Sequence, residues 1–195
     1  MISGRKSLLA GAVLTGLGAW QILEGGWIHA KAALARHLVA IAWMETLASG
    51  EPARPWPWAD TWPVARLRFP TLKRDLPVLA GASGATLAFG PGHLDGTAAP
   101  GALGHSVIAG HRDTSFTFLG SLRQGDPVAV QRQDGSWRDY RVTGTAIADA
   151  RLPWQGPAQA KGIAALTLVT CWPLDSIVPG GPLRYLVFAE EFLSR

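Results

Sequence analysis

Three side chains stand at positions where reactive groups would be presented to a groove. Cys171, the single cysteine of this 195-residue chain, ends the run Ala165-Leu166-Thr167-Leu168-Val169-Thr170-Cys171-Trp172-Pro173. Leu166, Leu168 and Thr170 alternate against Thr167, Val169 and Cys171, the two-residue period of a strand. Pro173 then stops it. His111 follows the apolar run Val107-Ile108-Ala109 at a Gly110-His111 corner, ahead of Arg112-Asp113-Thr114. Arg184 lies just inside the apolar run Leu183 to Phe188, after Gly180-Gly181-Pro182. A guanidinium there must find a partner or face a groove, because burying it unpaired is expensive. Together these are the parts of a thiol acyl-transfer site: a sulfur nucleophile, an imidazole that exchanges protons, and a cation that holds an oxyanion or the substrate carbonyl.

The elements that must position them are short strands. From Trp62 onward, brief apolar runs are separated by Gly, Pro and Asp, the pattern of an all-β barrel or sandwich. Strands are expected over 64–69, 76–79, 106–109, 127–132, 137–148, 163–170 and 183–190, with a hairpin turn at Asp134-Gly135. Phe116, Leu119 and Leu122 share a helical face and predict one short helix over 114–122, capped by Asp113 or Thr114.

Upstream, Arg5 and Lys6 precede an uncharged, Gly-rich apolar stretch from Leu8 to Leu23. Continued to Ile28 it reaches the ~20 residues a membrane span needs, provided Glu24 snorkels or sits near the interface, with Trp20 and Trp27 as interfacial anchors. It reads as an uncleaved signal anchor or as a signal peptide with an A-x-A site at Ala30 and Ala32; the alternative is a buried helix of a cytosolic domain, against which its Gly content speaks. Residues 28–48 predict an amphipathic helix with Ile28, Ala32, Ala35, Leu38, Ile41, Ala42 and Met44 on one face, closed by Ser49-Gly50. The Pro- and Trp-rich stretch 52–63 predicts an extended linker whose rings need a packing partner. The organisation expected is thus a membrane-anchoring segment and membrane-proximal helix over 1–50, a linker over 51–62, and one catalytic β-barrel over 63–195.

Composition excludes several classes. Charged residues make up 16% and hydrophobic residues 48% of the chain, too polar for a multi-span protein and consistent with one membrane segment. The net charge of +4 comes from scattered Lys and Arg with no basic run, so no nucleic-acid partner is expected. One cysteine permits neither an intrachain disulfide nor a thiolate metal cluster. His93 and His105 lie in Gly-rich stretches and read as loop hydrogen-bonding residues.

The order His111, then Thr167-Leu168-Val169-Thr170-Cys171, then Arg184 resembles the sortase family of bacterial cysteine transpeptidases. The T-L-x-T-C motif matches residue for residue, with 60 positions from His to Cys and 13 from Cys to Arg. The likeness covers about residues 62–190. The segments 55–63, 87–93 and 110–114 are most similar to the Gram-negative, proteobacterial class GN sortases. The resemblance implies a closed eight-stranded β-barrel whose groove is floored by the strands bearing Cys171 and Arg184. It implies Cys171 as nucleophile, His111 as acid and base, and Arg184 as substrate or oxyanion stabiliser, with Thr170 contacting the bound peptide; Trp172, by its place next to the nucleophile, is expected to line the groove. The expected reaction cuts an LPXTG-like C-terminal sorting signal of a secreted or surface protein, through a thioester, and passes the acyl group to an amine. The alternative on the same residues is a cysteine protease that releases its substrate by hydrolysis. A structural thiol in a non-catalytic binding module is the reading furthest from both. No cofactor is expected, and because the acids of the candidate calcium loops are sparse (Asp95, Asp149) no metal either. The expected location is the cell inner membrane, single-pass, with the barrel in the periplasm.

Overall fold

The computed structural model describes residues 2–153, 162–176, 178 and 180–192. Helix α1 (Ile2–Ser49) is followed by strands β1 (Pro63–Phe69) and β2 (Arg74–Ala80), the short helix α2 (Gly84–Leu87), and strands β3 (Gly92–His93) and β4 (Gly104–Ala109). Strands β5 (Pro127–Gln131), β6 (Trp137–Asp149), β7 (Ala164–Cys171) and β8 (Leu183–Glu191) complete the chain. The eight strands close into a barrel in the order β1-β2-β3-β4-β7-β8-β6-β5. Pairs β2–β3 and β4–β7 are parallel and the rest antiparallel.

Each strand turns one face inward. Leu67, Phe69, Ile108, Val130, Tyr140, Leu166, Leu168 and Val187 fill the interior, the apolar burial that supplies most of the driving force for such a fold. Burial pushes the Tyr140 phenol up to about 12, because a phenolate would lose its hydration there.

Seven strands coincide with the expected ones to within two residues at each end; the eighth, β3, has only two residues, Gly92 and His93, and so leaves no alternation to read. The expected helix over 114–122 is not formed: the stretch is a series of turns ending in a 3-10 turn at Leu119–Ser121. Phe116 and Phe118 are both buried in the core. Positions two apart on an α-helix point to nearly opposite sides, so a helix would leave one ring in water. Gly120 also packs against Leu174, with 2.6 Å between the Leu174 Cδ1 and the place a Cβ would occupy.

The chain divides into two compact units, Met1–His37 and Leu38–Arg195. In the first, Leu14, Leu17, Trp20, Leu23 and Trp27 are exposed along the helix. Among the described residues, no helix is long and apolar enough to cross a membrane. In the second unit, the last turns of α1 bury Val39, Ala42, Trp43 and Thr46, spaced i, i+3, i+4, i+7 as one helical face. Trp43 Nε1 donates to Gln131 Oε1 at 3.2 Å. Met44, expected on the buried face, is exposed, and Trp43 takes the core position. Helix α1 ends where expected: Gly50 adopts φ of 76° and donates to the Thr46 carbonyl at 2.9 Å.

Between α1 and β1 the chain turns rather than extends, with Ala59 N donating to Trp56 O at 3.0 Å. It is laced to β2 by Thr61 Oγ1 donating to Ala80 O (2.7 Å) and Ala80 N donating to Trp62 O (2.8 Å). Trp56 meets Phe89 edge to face at 5.0 Å, a favoured aromatic geometry.

Candidate active site

Strand register brings the three reactive residues to one end of the barrel. Leu166 and Leu168 point into the core, so by the period of two Val169 and Cys171 stand on the outer face. Cys171 is paired directly with Arg184 across β7 and β8. Strands β4 and β7 run parallel, with Ala109 beside Val169, and Gly110 N continues the ladder by donating to Val169 O at 3.0 Å. His111 therefore leaves β4 at the level where β7 presents Cys171.

All three line one cavity of about 540 Å³, walled by Leu87, Leu94, Leu152 and Leu186. An apolar trough with a few convergent polar groups is the usual form of a small-ligand or peptide site. Cys171 is half-buried and unbridged.

The His111 corner is held from three sides. Thr170, 2% exposed, donates its Oγ1 to the Gly110 carbonyl at 2.7 Å. Phe116 N donates to the His111 carbonyl at 2.9 Å. Gly110 lies against the Phe116 ring, where a Cβ would come within 2.6 Å of the ring carbon Cδ2. Gly110→Ala is accordingly expected to displace Phe116 or the corner, costing about 1–3 kcal/mol as overpacking does. Activity should fall with it. Urea unfolding of the variant beside wild type measures the first effect, and turnover the second.

Arg184 is positioned by its own loop. Its Nη1 donates to Gly181 O (2.7 Å) and Leu183 O (2.9 Å). Gly180 and Gly181 have φ of 90° and 89°, a region that residues with a Cβ rarely adopt. This bend accompanies the Gly181 carbonyl's contact with the guanidinium. Asp149, at the end of β6, also lines the cavity. Hydrogen bonds from the Arg151 side chain and backbone hold its carboxyl down to about 2, and the charges of Arg151 and Arg184 add to this. It is thus an anion at any working pH.

The sequence-derived site residues do not all meet. Cys171, His111, Arg184 and Thr170 border the cavity. Trp172 is not among the residues lining it; its ring stacks on Tyr185 at 5.7 Å and 23°. His105 is not in a loop but in β4, buried, with Nε2 2.7 Å from Thr167 Oγ1. The expected strand over 106–109 began one residue after it, whereas β4 starts at Gly104.

Burial lowers the His105 pKa below its ordinary 6.5. As pH falls through 6.5 the unfolded chain takes up this proton before the folded one does, so stability is full above that value and declines below it. The urea midpoint should drop between pH 7.5 and 5.5, and His105→Gln should remove that part of the drop.

Arg112 was not singled out in the sequence for any role of its own. Its Nη1 donates to Pro173 O at 3.0 Å and its Nη2 to Val178 O at 2.5 Å, tying the His111 corner to the segment after Cys171.

Comparison with known proteins agrees with this geometry. The sortase domain family model matches residues 67–192. Sortase D of Bacillus subtilis (strain 168) is 30% identical over 125 residues, which cover 64% of this chain and 62% of that protein. The chain thus spans about three fifths of that relative's length. Among solved structures, Sortase A from Corynebacterium diphtheriae aligns with a TM-score of 0.60 at 28% identity, covering 71% of this chain and 64% of that one. Sortase C-1 from Actinomyces oris aligns with a TM-score of 0.57 at 30% identity, covering 68% of this chain and 74% of that one. With the family match extending over well more than half of its length and the barrel closed in eight strands, the chain belongs to the sortase family.

Proposed function

We propose that the protein is a cysteine transpeptidase that cuts a C-terminal sorting signal of LPXTG-like sequence and transfers the acyl group to an amine. The observation that carries this reading is the in-register pair Cys171 and Arg184 sharing one apolar cavity with His111.

The reaction follows from those positions. The Cys171 thiolate attacks the scissile carbonyl, and its electrons move onto the carbonyl oxygen, toward which Arg184 has further N–H donors to offer. Collapse breaks the C–N bond; the departing amine takes a proton from His111, leaving a thioester on Cys171. An acceptor amine then attacks the thioester, gives a proton to His111 and releases the sulfur. Leu87, Leu94 and Leu152 give the groove walls suited to an extended peptide with apolar side chains. Thr170 serves the site by holding the Gly110 carbonyl.

The substrate is accordingly a secreted or surface protein, and the enzyme works outside the cytoplasm. The N-terminal segment is the membrane attachment: Leu14, Leu17, Trp20, Leu23 and Trp27 expose apolar surface along it, with the two tryptophans suited to the interfaces. The class GN likeness of segments 55–63, 87–93 and 110–114 points to the inner membrane of a Gram-negative cell, with the barrel in the periplasm.

Product analysis tests the reading. Full-length protein in detergent, given peptides ending in candidate signals, should yield the amine-joined product when an amine is supplied. A hydrolysed product alone, unchanged by added amine, would assign the site to a protease. No cleavage of any peptide would remove the peptide-substrate assignment.

A further inference from the structure

Arg112 directly follows His111, and its guanidinium bonds two carbonyls that follow the nucleophile in the chain. The two carbonyls it holds belong to Pro173 and Val178, on the segment that leaves Cys171 and returns as β8. The same segment is fastened at one more point, where Leu174 packs on Gly120, and it turns back on itself where Val178 N donates to Ser176 Oγ at 3.2 Å. Of these ties, only Arg112 joins the segment to the histidine corner itself.

Arginine suits this task because its planar fork offers two N–H donors at a fixed separation, whereas a lysine ammonium acts as a single point. Charged donors on carbonyls are among the stronger hydrogen bonds. The side chain is solvent-accessible, and interactions at such a surface contribute little to global stability. The tie therefore matters for local geometry more than for the fold.

We propose that Arg112 is a positioning residue for the reaction: by joining the Pro173 and Val178 carbonyls to the His111 corner, it sets the placement of the imidazole relative to Cys171 Sγ. This inference rests on the transpeptidase reading of the site. It assigns Arg112 no contact with the reacting atoms. Losing the tie leaves the nucleophile, the cation and the apolar walls in place but loosens the acid that must meet the leaving amine, so the chemical step suffers and peptide affinity does not.

The test compares full-length wild type, Arg112→Ala and Arg112→Lys with a signal peptide that wild type turns over. For Arg112→Ala, kcat is expected to fall about 10- to 100-fold, the range a misplacement near an angstrom produces, while KM stays within about twofold. The thermal midpoint should move by no more than about 2 °C. Arg112→Lys should recover part of kcat by serving one carbonyl, and added methylguanidinium should recover part of the alanine variant's loss. Unchanged kcat in Arg112→Ala would overturn the proposal. So would a loss of kcat that follows a lowered thermal midpoint and is rescued neither by lysine nor by methylguanidinium. If wild type turns over no peptide, the transpeptidase reading itself fails, and the tie is then read from the rate at which iodoacetamide labels Cys171. A change of about threefold or more between wild type and Arg112→Ala, with the fold intact, would uphold the positioning role, and equal rates would overturn it.

Discussion

Cys171→Ala should lower peptide cleavage by about 10⁴-fold or more, because the proposed pathway has no other covalent carrier for the acyl group. The effect should be all chemistry. Cys171 lies on the outer face of β7 and is half-buried, so replacing its Sγ with hydrogen removes little packing from the core formed by Leu166 and Leu168. The unfolding midpoint is expected to stay close to that of wild type, and the variant should still bind peptide in the same cavity. Stopped-time chromatography of cleaved peptide, with a fluorescence titration of binding alongside, measures the two separately. Cleavage at near wild-type rate would move the nucleophile elsewhere. Loss of binding together with loss of cleavage would mean the thiol shapes the groove as well.

His111→Ala should cost about 10²- to 10⁴-fold in turnover of a peptide amide, the usual reach of general acid catalysis. The size should depend on the leaving group. An amine expelled from a tetrahedral intermediate needs a proton, whereas an alkoxide leaves with less help. A signal in which the scissile amide is replaced by an ester should therefore lose much less on His111→Ala. This contrast distinguishes proton donation from a steric role of the ring, since a displaced groove would slow both substrates alike. Equal losses for amide and ester would remove His111 as the acid.

Much of this arrangement was legible in the residues. Leu168 to Cys171 alternates because β7 has one face in the core and one on the groove, and that contrast is what a two-residue period records, while Thr167, on the outer face, is buried beside His105. Arg184 stood out for the opposite reason, as a charge in an apolar run, and the register explains it: the position opposite Cys171 is on the groove side.

What the sequence hid is equally specific. Strand β3 consists of Gly92 and His93; two residues carry no period, and only the pairing to Leu79 and Ala109 defines it. The spacing of Phe116, Leu119 and Leu122 imitates a helix, yet Phe118 is also buried, so tertiary burial decides the conformation against local periodicity. Met44 and Trp43 are adjacent, and a rotation of about 100° about the helix axis exchanges which of them is inside. The two carbonyls met by Arg112 lie 61 and 66 positions away, which no local pattern can reveal. Trp172 was expected at the groove because of its neighbour; its stacking on Tyr185 follows from the pairing of Thr170 with Tyr185, which brings the ring alongside.

The most direct test of the central claim is the intact mass of the full-length protein after brief exposure to candidate signal peptides. Wild type is expected to gain the mass of the N-terminal part of one peptide, on Cys171, and to lose it when an amine or hydroxylamine is added, as a thioester does. Cys171→Ala should show no gain. The absence of any adduct on wild type with every peptide, while peptide is nonetheless cleaved, would contradict covalent catalysis by Cys171.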